Sequence, residues 1–177
     1  MTCILGLDPA GSFGWTVLKD GSYITGGTTK FKYPTKVQQT KHGKPKGLKW
    51  LDAYTWLDEK IQEIAPDFVI VEDVRRHVST LSAHSYGFYR YAIESLCAKH
   101  NVQFYPIIVT QWKLCAIGKG SADKEFISTK VSELFPDVEF ETDDHSDAAG
   151  IAYAGFIHHK NGTLETLTEK VGGKKKK

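Results

Sequence analysis

Short apolar runs open the chain. Cys3 to Leu7 ends at Asp8, and Gly14 to Leu18 resumes as a β-branched and aromatic segment after a turn rich in Gly and Pro, the pattern of a hairpin. Ser22 to Phe31, with Tyr23, Ile24 and a threonine pair, predicts a third strand across an Asp20-Gly21 turn. The period then changes. Leu48, Leu51, Trp56, Leu57, Ile61 and Ile64 recur at mostly helical intervals until Pro66 stops the run, which predicts an amphipathic helix. Phe68 to Val71, an apolar run between Pro66-Asp67 and Glu72, suits a central parallel strand covered on both faces. Tyr89, Ile93, Leu96 and Cys97 share one face of a helix within Leu81 to His100, and Val102 to Ile108 is the next strand. Three helices follow: Thr110 is the predicted cap of a short one, Ser121 caps one running through Phe126, Val131 and Leu134, and Ser146 to His159 is the last. Strand hairpins followed by alternating helix and strand predict an α/β domain, a mixed five-stranded sheet of three antiparallel then two parallel strands flanked by helices.

The 177 residues, 41% of them hydrophobic, suit one core and one domain, expected over 1–170, with 171–177 a disordered basic tail. A formal net charge of +2 is too small to diagnose a nucleic-acid partner, so the distribution of lysines matters more. Between Gly21 and Leu51 there is no acidic residue, yet Lys30, Lys32, Lys36, Lys41, Lys44, Lys46 and Lys49 all occur there, whereas Asp137 to Asp147 is strongly acidic. Pro34, Gly43, Pro45 and Gly47 predict that the basic stretch is a loop, flanked by Phe31, Tyr33 and Trp50. A solvated surface and a phosphate-binding surface are both consistent with it. Cys3, Cys97 and Cys115 lack paired spacing, so neither a disulfide framework nor a zinc site is expected. With no secretory leader pattern and apolar runs too short to span a bilayer, the expectation is a soluble cytoplasmic protein without membrane contact.

The acids give this frame its chemistry. Asp8 and Glu72 each directly follow an apolar strand, ILGL and FVIV, and strand ends are where side chains leave the packed layer for a crevice. Asp144 and Asp147, three apart, share a face at the start of the last helix. Each has an ordinary structural reading, Asp8 as a turn residue and the helix acids as caps or dipole partners. Convergence of all four requires cations, because like charges a few ångströms apart raise each other's pKa. An all-oxygen donor set selects Mg²⁺ or Mn²⁺, and two such ions suit phosphodiester hydrolysis.

At these positions the sequence resembles the RuvC family of Holliday-junction resolvases, within the RNase H-like superfamily. The segment ILGLDPAGSFGWTVL is similar to that family's first strand and hairpin, PDFVIVED to the strand ending in a glutamate ligand, and DDHSDAAGIAYAG to its last acidic motif. TQWKLCAIGKGSADKEFI resembles the family's two basic positions, matched here by Lys113 and Lys124. The resemblance implies an RNase H-like fold, metal ligation by Asp8, Glu72, Asp144 and Asp147, and a catalytic Lys124 near the scissile phosphate. Two Mg²⁺ ions are the implied cofactors, with Mn²⁺ as a substitute and no organic cofactor. His145 is read as a bystander, with ligand and proton carrier as the alternatives, and Asp143 is the alternative acid if the helix begins earlier. Where relatives often carry an aromatic after the glutamate, this chain has Arg75, then Arg76, a departure that suggests a phage or mobile-element version.

The resemblance thus implies a Mg-dependent endodeoxyribonuclease acting on branched DNA as a homodimer, with paired nicks in a four-way junction. Lys113, Lys124, Arg75, Arg76, Lys41, Lys44 and Lys46 are the candidate DNA contacts, and the helix containing Tyr86, Phe88, Tyr89 and Tyr91 is a candidate dimer interface. The alternatives within the fold are a broader branched-DNA or flap nuclease and a YqgF-type RNA-processing enzyme. Outside this class, an actin-like ATPase would need two such domains, and a non-catalytic junction binder would not need four acids.

Overall fold

The computed structural model describes residues 1–9 and 12–169, so the predicted tail at 171–177 lies outside the described residues. Its sheet has the order β3-β2-β1-β4-β5, formed by β1 (Cys3–Pro9), β2 (Phe13–Lys19), β3 (Ser22–Thr29), β4 (Phe68–Asp73) and β5 (Gln103–Ile108). β1, β2 and β3 pair antiparallel, whereas β4 runs parallel to both β1 and β5. Asp20 and Gly21 turn β2 into β3 with φ of 49° and 85°, the left-handed pair that a tight hairpin turn requires.

Successive strand residues point to opposite faces, and the core is accordingly two cores. Ile4, Ile70, Tyr105 and Ile107 enter one, packed against α4 (Val109–Ile117), α5 (Lys124–Leu134) and α6 (Asp143–Lys160). Leu5, Leu7, Val69 and Val71 enter the other, packed against α2 (Leu48–Ile64) and α3 (Thr80–Lys99). No helix among the described residues is long and apolar enough to cross a membrane.

The departures from the predicted elements have local causes. The basic stretch holds a short helix, α1 (Lys36–Lys41), because Thr35 and Gln38 form a reciprocal capping box within the expected loop. Thr110 does not cap α4, whose N-terminus has Ile108 at the cap position and no side-chain cap. Ser121 does not cap α5 either; Asp123 accepts the hydrogen bond from the Phe126 N–H. α6 begins at Asp143 rather than Ser146, because Thr142 accepts from the His145 N–H and starts the helix three residues earlier. A further short helix, α7 (Glu165–Glu169), closes the described chain. Within α2, Leu51 is exposed instead of packed.

Candidate active site

Register places the acids. Leu7 lies beside Val71 in the parallel β1/β4 pair, so the next residues along, Asp8 and Glu72, are neighbours at the same end of two adjacent central strands. Asp8 stands two residues beyond Gly6, and Glu72 two beyond Ile70; Gly6 and Ile70 both abut α6, so both acids point to the α6 side of the sheet.

α6 can meet them because the contact surface is stripped of side chains. A Cβ on Gly6 would lie 2.6 Å from the Ala152 Cβ and 2.7 Å from the Ala148 carbonyl oxygen. Gly14, the cross-strand partner of Asp8, is tighter still: a Cβ there would sit 1.9 Å from the Asp144 carbonyl oxygen. Backbone-to-backbone approach of this kind is open only to glycine. It brings the first turn of α6, with Asp144 and the following Asp147, against the tip of β1.

The electrostatics record the convergence. Asp8, 4% exposed, has its pKa held well above the carboxylate range by burial first, then by the charges of Glu72, Asp147 and Asp144, with Lys124 opposing. Burial, then Glu72, lifts Asp147 to about 7 against the pull of Lys113. Burial also raises Glu72 and Asp144; the Trp112 hydrogen bond and Lys113 oppose it at Glu72, and Lys124 and a Ser12 hydrogen bond oppose it at Asp144. Carboxylates in this condition are short of positive charge.

Among the described residues no three His, Cys, Asp or Glu side chains stand as a ready-made cage for a metal ion. The acids share one end of one sheet face, yet Glu72 accepts a hydrogen bond from Trp112 Nε1 at 2.7 Å and Asp144 is engaged by Ser12. In donor type and in uncompensated burial the set fits a hard divalent cation, and closing on one requires side-chain adjustment.

The basic residues divide. Lys113 donates to the Ala122 carbonyl at 3.1 Å, which ties α4 to the start of α5, and its charge still reaches Glu72 and Asp147. Lys124 pairs with Asp143 at 2.7 Å on the outer edge, its pKa raised by that hydrogen bond, and its charge reaches Asp144, Asp147 and Asp8. Although α6 begins early enough to place Asp143 in its first turn, Asp143 faces Lys124, and Asp144 remains the inner acid. His145 is buried beneath β3, where its Nε2 meets the Tyr23 hydroxyl at 2.9 Å.

Arg75 donates to Asp73 at 3.1 Å, and Arg76 lines a cavity of about 480 Å³ that begins at Pro9 and Val74 beside the acids. Lys41, Lys44 and Lys46 are exposed, with Lys30 at the near end of the basic stretch felt by Asp144. Three of the four candidate interface aromatics are engaged internally: Tyr89 is buried, Phe88 packs on Trp50, and the Tyr86 hydroxyl donates to the Glu72 carbonyl at 2.9 Å while accepting from the Val74 N–H at 3.1 Å. Only Tyr91 of the four is largely exposed. Trp112, Ser12 and Gly14 were missed in the sequence, and Tyr86 was read only as a candidate interface residue. Trp112 carried a signal in retrospect, being a polar-tipped aromatic within a matched motif.

A mixed sheet in this order, with acids at the tips of adjacent parallel strands and on the helix crossing them, is an RNase H-like fold. No family model matches the chain. Individual proteins do: the crossover junction endodeoxyribonuclease RuvC of Rickettsia akari is 28% identical over 156 residues, covering 85% of this chain and 94% of that protein. RuvC of Methylococcus capsulatus is 28% identical over 180 residues, covering 97% and 99%. Among solved structures, T. thermophilus RuvC in complex with Holliday junction substrate superposes with a TM-score of 0.75 at 20% identity, covering 92% of this chain and 98% of that one. The yeast mitochondrial Holliday junction resolvase Ydc2 gives 0.56 at 14% identity, covering 94% and 83%. The chain is thus similar to these RuvC proteins along nearly its whole length, at identities of 28% or less, and shares their fold.

Proposed function

We propose that the protein is a structure-selective DNA endonuclease that resolves four-way junctions by metal-dependent hydrolysis of a phosphodiester in each of two opposed strands. The observation that carries this reading is the placement of Asp8, Glu72, Asp144 and Asp147 at one end of the α6 face, in a chain similar throughout to proteins named crossover junction endodeoxyribonuclease. The four acids are the proposed ligands of two Mg²⁺ ions, for which Mn²⁺ would substitute. When bound, such ions supply Lewis-acid activation of water and of the phosphate.

The chain's own residues do the rest. β1 and β4 fix Asp8 and Glu72 in the middle of a sheet, where they cannot drift, and α6 brings the other pair. Lys124 exchanges Asp143 for a non-bridging phosphate oxygen and stabilises its developing charge. Lys113 offsets the negative charge around Glu72 and Asp147 while holding the link between α4 and α5. Arg75 and Arg76 serve the strand near the cut, and Lys41, Lys44 and Lys46 serve the phosphates of a duplex arm. A four-way junction has two-fold symmetry, so two opposed cuts require two sites, which a homodimer supplies. Reduced thiols and a DNA substrate suit a cytoplasmic location.

The test is incubation of purified protein with labelled four-way junction, flap, structured RNA and plain duplex, with and without Mg²⁺. Paired, symmetric nicks confined to the junction are expected. Preferential cutting of flaps or RNA would replace the assignment with one of the other nuclease readings, and cutting without a divalent cation would remove the metal from it.

A further inference from the structure

Trp112 is fully buried, yet a purely apolar residue would fill its place in the core. Its indole carries a single N–H donor and no acceptor, so one partner sets its orientation. That partner is Glu72 Oε1, at 2.7 Å. The opposite edge of the ring presses on α6: a Cβ on Gly150 would lie 2.8 Å from Trp112 Cζ3. One rigid side chain on α4 therefore spans from the acid at the tip of β4 to the helix that carries Asp144 and Asp147.

We propose that Trp112 is a positioning residue for Glu72, holding Oε1 so that Oε2 is the oxygen presented for cation binding, at a distance from α6 set by the indole's width. The inference rests on the proposed ligand role of Glu72. It differs from a packing role in what it requires: loss of the N–H changes cation affinity, not only stability, and does so solely through Glu72. Hydrogen bonds from neighbouring groups orient metal ligands, and their removal typically costs about 10–100-fold in metal affinity.

The test is Mn²⁺ binding to the purified full chain by calorimetry at fixed pH, for wild type, Trp112→Phe, Glu72→Ala and the double variant. Trp112→Phe is expected to weaken Mn²⁺ binding by about 10-fold or more, and to cost nothing further once Glu72 is alanine. Wild-type Mn²⁺ affinity in folded Trp112→Phe overturns the proposal, as do additive losses in the double variant. If Glu72→Ala binds Mn²⁺ like wild type, the ligand assignment itself fails, a result distinct from failure at Trp112 alone. Should Trp112→Phe not fold, Gly150→Ala supplies the second variant, since the added methyl displaces the ring while leaving its N–H in place; it too should weaken Mn²⁺ binding, and unchanged affinity would overturn the proposal. The indole N–H resonances of the four tryptophans give a readout free of activity: that of Trp112 should move upfield in Glu72→Ala, and an unmoved signal excludes the hydrogen bond.

Discussion

Both faces of the sheet carry aromatic clusters, but only on one does a helix come almost onto the strand backbones. On the α2/α3 side large rings fill the space: Phe13 meets Tyr89 at 5.2 Å and Trp56 at 5.7 Å, and Trp50 meets Phe88 at 4.8 Å. On the α6 side, Gly6, Gly14, Ala148 and Ala152 bring a helix almost into backbone contact with the strands. The acids proposed as ligands sit on the second face, where short carboxylates from strand and helix could serve a common cation because the two backbones are close. The α2/α3 face carries none of these four acids, and its rings extend outward to the basic segment, where the Lys49 ammonium lies 4.6 Å from the Tyr33 ring centroid and 4.5 Å from that of Trp50. The proposed cation site and the Tyr33–Trp50 end of the basic segment thus lie on opposite sides of one sheet.

The sharpest way to break this division is at the acids. Asp8→Asn or Glu72→Gln should lower junction cleavage by ~10³-fold or more while leaving junction affinity in the absence of metal nearly unchanged. Retained cleavage by purified Glu72→Gln, measured on labelled junctions, would take Glu72 out of the mechanism.

A matched pair of core variants compares the faces directly. Leu57→Ala, on the α2/α3 side, should cost about 2–5 kcal/mol in denaturant unfolding with the cleavage rate per folded molecule unchanged. Gly14→Ala should cost ~1–3 kcal/mol or more, since the methyl meets the Asp144 carbonyl and forces α6 outward from β2, and it should also abolish most cleavage per folded molecule. Equal effects on rate from the two would dissolve the distinction.

The acid face makes its own contribution to the pH dependence of the metal-free protein. Asp147, with a folded pKa of about 7 against 3.8 in the open chain, keeps a proton in the native state that the unfolded state has released. Stability is therefore highest below about pH 4 for this group and falls as pH rises toward 7, by a few kcal/mol at most. Thermal unfolding without divalent cations should give a lower Tm at pH 8 than at pH 5, and Mg²⁺ should restore much of it at pH 8. A Tm indifferent to Mg²⁺ at pH 8 would contradict cation relief of these charges.

The smallest effect belongs to the basic segment. Lys44→Ala should leave the rate at saturating junction unchanged and reduce the magnitude of the log-log salt slope of binding by about 0.9 if that lysine meets one duplex phosphate. A slope equal to wild type would make it a solvated lysine.

Several features were legible in the sequence because they are local. Hydrophobic period identified all five strands and the long helices, the Asp20-Gly21 pair announced its turn, and the acids at the ends of ILGL and FVIV stood out against apolar runs. Caps were less legible: Ser121 competed with Asp123, α4 has Ile108 at its cap position with no side-chain cap where Thr110 was expected, and the choice depends on where the helix docks.

The sequence by itself determined the five strands, the long helices, the presence of the four candidate acids and the segregation of positive charge, since each depends on residue type and spacing within a short window. Only the tertiary structure decided that Asp8 faces Gly14 beneath Asp144, that Glu72 is held by Trp112, that Lys124 rests on Asp143, and that three of the four aromatics on α3 are turned to internal contacts. Those facts depend on strand register and on how closely a helix approaches a sheet, quantities fixed by contacts between residues far apart in the chain, 146 positions in the case of Gly6 and Ala152.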